Sequence, residues 1–266
     1  MMIIESSLQG KYNDASRCED ALFISDDEVA VIDGATAKAH TVRHQTTPGK
    51  MAAQRIKATL HDCIGSADPF ALLRTLNNAV AQLPFDFPPL SRPTASVIIY
   101  QRRFSRIVNY GDCQCIIDHV RHLHEKAVDL ANASRRRRVL RICLHLGISR
   151  SWLMEHDPGR IFILPALRRQ HRYANNARSK LGYGVIDGQR LIYRFMTVYQ
   201  VHAGDEIILA SDGYPMLQET LQSSERILQW ILAKDALIIG RPYGSTKGLV
   251  PGNVSYDNRT YIRFIA

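Results

Sequence analysis

Four aspartates stand beside residues that favour tight turns: Asp33-Gly34, Gly111-Asp112, Asp212-Gly213 and Asp257-Asn258. Taken singly, each pair is ordinary turn chemistry. Taken together they could hold hard divalent cations, which want several oxygen ligands from carboxylates, carbonyls and water and need neither thiol nor imidazole. A glycine after the carboxylate lets a backbone carbonyl come close to an ion, so Asp33-Gly34 reads as two ligands from one turn. The chain shows no Ser-His-Asp or reactive-cysteine arrangement that would suggest covalent catalysis instead.

These aspartates need elements to position them. Residues 21–25 and 28–33 are β-type runs separated by Asp26-Asp27, a connection that delivers Asp33 to a strand end. Thr47-Pro48 and Asp68-Pro69 are helix starts, the first followed by Met51, Ala52, Ile56, Leu60 and Ile64, the second by Leu72, Leu73, Leu76, Val80 and Leu83. Residues 84–93, rich in proline, should be a loop. Strands are expected over 94–100, 106–110 and 115–118, with Asp112 at a corner, then over 191–195, 198–202 and 206–211, the last ending at Asp212. A helix through Leu217, Leu221, Leu228 and Ile231 with a break near Ser223-Ser224, and a final strand over 260–265 entered through Asp257, complete the reading. Residues 119–180 are irregular and basic, apart from a short helix near Ile161, and form a variable lobe within one domain spanning 1–266.

On these segments the sequence resembles the metal-dependent protein phosphatase family (type 2C, PPM). The matching stretches run in the family's order: Cys18-Glu19-Asp20-Ala21, Val31-Ile32-Asp33-Gly34, Thr94-Ala95-Ser96-Val97, Asn109-Tyr110-Gly111-Asp112, Leu209-Ala210-Ser211-Asp212-Gly213 and Tyr256-Asp257-Asn258. The resemblance implies an α+β fold, two packed antiparallel sheets with helices on both outer faces (an α-β-β-α sandwich), and a binuclear Mn²⁺ or Mg²⁺ centre. It implies that Asp33 bridges the ions, that the Gly34 carbonyl binds one, that Asp212 and Asp257 complete the other, and that Glu19 or Asp20 acts through water. Asp112 would serve a third, weaker ion. Two ions about 4 Å apart activate a shared water for attack on phosphorus and offset charge on the departing oxygen. The implied activity is hydrolysis of phosphoserine and phosphothreonine in proteins.

The chain also departs from the family. Arg17, close before Glu19-Asp20, stands where an arginine often binds substrate phosphate, at a shorter spacing than is usual. Ala35-Thr36-Ala37 replace the customary histidine or glycine pair, so general-acid help would come from metal-bound water, from a nearby residue such as His40 or His44, or not at all. Cys113-Gln114 replace a serine-arginine pair. These changes keep a second reading open, a weak or inactive phosphatase-like module that binds a phosphoprotein or regulator.

Other signals have plainer readings. His119, His122 and His124 follow a short strand and read as a solvated basic segment rather than a zinc site. His61-Asp62 and His156-Asp157 would matter only in a mostly helical chain. Cys113 and Cys115 alternate along a strand and read as a buried apolar pair. Arg135, Arg136, Arg137 and Arg138 could face solvent, dock an acidic partner or bind nucleic acid, the last disfavoured without interleaved aromatics. At 266 residues and 45% hydrophobic content the chain is globular in composition, and its net charge of +9 favours anionic or phosphorylated partners. Five scattered cysteines fit a reducing compartment. With no leader or spanning segment read at the start, the expectation is a cytosolic protein, or one delivered to a cytosol if exported.

Overall fold

The computed structural model describes residues 1–12, 14–35, 46–83 and 92–266. Its strands are β1 (Met2–Gln9), β2 (Ala21–Ile24), β3 (Glu28–Gly34), β4 (Ala95–Gln101), β5 (Arg106–Tyr110), β6 (Gln114–Ile117), β7 (Val120–His122), β8 (Met196–Gln200), β9 (Glu206–Ala210) and β10 (Arg259–Ile265). The helices are α1 (Pro48–Asp62), α2 (Pro69–Ala81), α3 (Ala127–His145), α4 (Arg150–His156), α5 (Pro158–Arg169) and α6 (Leu221–Lys234). Two antiparallel sheets result, ordered β2-β3-β4-β5-β8 and β1-β10-β9-β6-β7.

The central strands are apolar on both faces because both faces are covered. Along β3 and β4, Ala30, Ile32, Val97 and Ile99 pack under α1 and α2. Their alternates Val29, Val31, Ile98 and Tyr100 meet Ile207, Leu209, Ile262 and Phe264 of the other sheet. On the far side Ile208, Ala210 and Tyr261 pack against Leu228, Ile231 and Leu232 of α6. This is the expected four-layer α-β-β-α order. Cys113 and Cys115 lie buried together between the sheets, as their alternation implied. Each buried Ile, Leu or Phe contributes roughly 1.5–3 kcal/mol, so this three-part core holds the sheet ends in fixed relation.

Helix starts fall where the caps require. The Thr47 side chain accepts from Lys50 N at 3.3 Å and that of Asp68 from Phe70 N at 2.9 Å, each followed by proline. Several expectations need correction. No break interrupts α6: Thr220 caps it through Ser223 N at 3.1 Å, so Ser223 and Ser224 form its first turn. Residues 191–195 are not a strand but lead into a 3-10 turn at Tyr193–Phe195, because Ile192 N is drawn onto the Tyr110 hydroxyl at 2.9 Å. The basic segment 119–180 is largely helical, formed by α3, α4 and α5 after the short strand β7. Arg136 is fully buried rather than a member of a solvated face. Its guanidinium meets Asp157 at 2.9 Å and donates to the carbonyls of Leu237 and Ser245 at 2.8 and 3.0 Å. The loop expected over 84–93 lies mostly outside the described residues. Among those described, no helix is long and apolar enough to cross a membrane.

Candidate metal centre

Antiparallel pairing brings the aspartate-bearing turns to one end of the sandwich. Asp33 closes β3 opposite Ser96 at the start of β4. Asp112 lies in the connection from β5 to β6, Asp212 just past β9 and Asp257 just before β10. Two glycines make the approach possible. A Cβ on Gly34 would stand 2.2 Å from the Glu19 carbonyl oxygen and 2.6 Å from that of Gly49, and one on Gly213 would stand 1.9 Å from the Asn258 carbonyl oxygen. Gly213 thus lets the Asp212 turn lie against the Asp257-Asn258 turn.

Asp33, Asp112, Asp212 and Asp257 line a cleft of about 520 Å³. Burial, then the charges of Asp20, Asp112 and Asp257, push the Asp33 carboxyl well above its ordinary range. Burial, then Asp33, Asp112 and Asp257, does the same to Asp212. Asp20 rises to about 7, through burial and then the Asp257 charge. Its Oδ2 accepts from Thr260 Oγ1 at 3.0 Å, while its buried Oδ1 has no hydrogen-bond partner. Asp112 runs the other way: burial opposes its ionisation, but Lys126 outweighs it and holds the carboxyl below its usual value.

Two lysines that the sequence reading did not single out enter this cluster. Lys126, just before α3, places Nζ 2.8 Å from Asp112 Oδ2, and Lys247, in the segment between α6 and β10, pairs with Asp257 Oδ2. A third, Lys11, stands 3.2 Å from Glu19 Oε2. With ammonium groups inserted, no three Asp, Glu, His or Cys side chains among the described residues stand together as a ready cage for an ion. The donors nevertheless fit a hard divalent cation: all are oxygens, burial and crowded negative charge raise the pKa values of Asp20, Asp33 and Asp212, and Asp20 Oδ1 is a buried oxygen left over.

Other candidates are placed as follows. Arg17 is exposed, its guanidinium 3.7 Å from the centre of the Tyr12 ring, and it does not line the cleft. Gln114 lines the cleft but donates to the carbonyls of Ser211 and Tyr214 at 3.1 and 2.9 Å, tying β6 to the Asp212 turn. His124 has both ring nitrogens engaged, at 2.7 Å to Cys113 O and 2.7 Å to the Tyr199 hydroxyl. His119 pairs with Glu219 and His122 packs on Tyr199, so the three histidines do not converge. His40, His44, Thr36 and Ala37 lie outside the described residues. Arg92, Arg168 and His171 add basic side chains to the cleft wall.

No described protein family and no curated protein matches the chain. Solved structures do. The serine/threonine phosphatase PstP/Ppp of Mycobacterium tuberculosis is similar at 16% identity and TM-score 0.53, covering 99% of this chain and 98% of that one. The catalytic domain of PstP in complex with two manganese ions is similar at 17% identity and TM-score 0.51, with coverage of 99% and 98%. The serine/threonine phosphatase Stp1 of Staphylococcus aureus follows at 12% identity and TM-score 0.51, with coverage of 100% and 95%. At such identities the likeness establishes architecture: the chain has the fold of the metal-dependent protein phosphatases.

Proposed function

We propose that the chain is a metal-dependent phosphatase acting on phosphoserine and phosphothreonine in proteins. The observation that carries this reading is the convergence of Asp33, Asp212, Asp257 and Asp20 at one end of the sandwich, where burial and mutual repulsion push the pKa values of Asp33, Asp212 and Asp20 up. Asp33, Asp212 and Asp257, with the Gly34 carbonyl, would hold Mn²⁺ or Mg²⁺, and Asp20 would act from behind, anchored on Thr260. The solved relative with two manganese ions supports this assignment. Bound cations of this class supply an activated water and offset charge on the leaving oxygen. The protein's own part is to hold the carboxylates in one cleft and to present Arg92, Arg168, His171 and Lys247 to an entering phosphate dianion. Exposed Arg135 and Arg138 on α3 are the members of the arginine run left for an acidic partner.

A second reading, a phosphoprotein-binding module of weak or no activity, draws on the lysines that neutralise Asp112 and Asp257. The same assay separates the two. The purified chain is expected to hydrolyse a phosphothreonine peptide with Mn²⁺ or Mg²⁺ and to stop with chelator. Asp33→Ala and Asp212→Ala should each lower the rate by roughly a hundredfold or more. No turnover with either metal, or unchanged turnover in both variants, would sink the enzymatic reading.

A further inference from the structure

Asp112 is the aspartate expected to serve a third ion, yet both of its oxygens are already engaged. Ser96 Oγ donates to Oδ1 at 2.5 Å and the Lys126 ammonium meets Oδ2 at 2.8 Å. Lys126 is not a surface side chain folded over by chance. Its side chain is only 11% exposed. Its Nζ lies 5.0 Å from the centre of the Tyr183 ring, an attraction between cation and ring face. Its backbone is fixed as well, since its carbonyl accepts from Asp129 N at 2.8 Å and Leu130 N at 3.1 Å at the start of α3. Lys247 differs: it sits in the segment between α6 and β10, and its side chain is 24% exposed, more than twice as much as that of Lys126.

We propose that Lys126 is a built-in cation that takes the place of an ion at Asp112, so that the centre admits two divalent ions and excludes a third. An ion entering at Asp112 would have to expel a nearly buried ammonium or share a carboxylate with it, and like charges at that distance repel strongly where water is scarce. The lysine does the electrostatic work of the missing ion without depending on metal supply, and it lends the cleft a permanent positive charge beside Asp33. This inference rests on the metal-dependent reading above.

The test is a Mn²⁺ titration of the full chain, following heat by calorimetry and free Mn²⁺ by its paramagnetic resonance signal. The wild type is expected to bind two ions, Lys126→Met three, and Lys126→Met combined with Asp112→Asn two again. Lys126→Arg should stay at two. A third ion in the wild type that Asp112→Asn removes overturns the proposal while leaving the metal reading intact, as does a folded Lys126→Met chain that still binds two. Absence of Mn²⁺ binding in every protein overturns both readings. Should Lys126→Met fail to fold, Asp112→Asn in the wild-type background decides: an unchanged count of two supports the proposal, and a fall from three to two overturns it.

Discussion

Asp20, Asp33 and Asp212 hold their protons more tightly in the folded chain than as free carboxyls, because burial comes first and neighbouring negative charge second. The sign of the consequence follows from proton counting. Between the ordinary value of 3.8 and the raised value of about 7 at Asp20, the folded state binds more protons than the unfolded state, so stability falls as pH rises through that window. Asp112 acts in the opposite sense, but only as pH falls below 3.8, and His124, lowered from 6.5 by burial, also opposes the trend, as one group against the three raised carboxyls. The chelated protein should therefore melt at a lower temperature at pH 8 than at pH 5. Mn²⁺ should recover much of that loss at pH 8, since an ion that binds only the folded state stabilises it by mass action and the carboxylates are then ionised to receive it. A melting temperature in chelator that is flat or rising from pH 5 to pH 8 would contradict this account of the cluster.

At the level of elements, Arg136 is the buried polar fastening of the lobe formed by α3, α4 and α5, beside the apolar contact of Leu140 and Leu153 with Leu237 and Ile239 and the bond from Arg160 to the Thr246 carbonyl. Arg136 joins α3 to Asp157 at the start of α5 and to the Leu237 and Ser245 carbonyls of the segment that carries Lys247. Arg136→Ala leaves the largely buried Asp157 carboxylate and two carbonyls short of a donor, and should destabilise the protein by about 3 kcal/mol in urea unfolding. It should also raise KM more than it lowers kcat, because the cleft wall loosens while the carboxylate floor stays. Loss of kcat alone would place Arg136 in the chemistry instead. The same residue explains why α3 was illegible in sequence. Its buried face combines Val128, Ala133 and Leu140 with Asn132 and Arg136, so no apolar stripe marks it. By contrast β3, β4 and β9 were legible because both of their faces are buried, and β3 and β9 also run into aspartate turns. β1 was not, being an edge strand whose exposed side chains do not alternate. The carboxylates stood out as candidates by their turns and took their roles from the family resemblance, whereas Lys126 and Lys247 reach the cleft from a helix start and a loop whose placement depends on tertiary packing.

Over the whole molecule the net charge of +9 is not spread evenly with respect to the cleft, whose floor is acidic and whose walls carry Arg92, Lys126, Arg168, His171 and Lys247. On the proposed function, a small phosphate ester would meet mainly the interior of that field, where the charges lie within a few Å and screening is weaker. A phosphopeptide with acidic flanking residues would span the exposed basic side chains as well and be steered from solution by the outer charge. Screening separates the two contributions, because the Debye length shrinks from about 10 Å at 0.1 M salt to about 3 Å at 1 M. Raising salt from about 0.05 M to 0.5 M in the presence of saturating Mn²⁺ should therefore lower kcat/KM for the acidic phosphopeptide by roughly tenfold. For a small ester such as p-nitrophenyl phosphate the change should be about twofold or less, with kcat nearly constant for both. An equal fall for the two substrates would move the effect from the outer field to the metal centre itself, and the basic rim would then have no part in choosing the substrate.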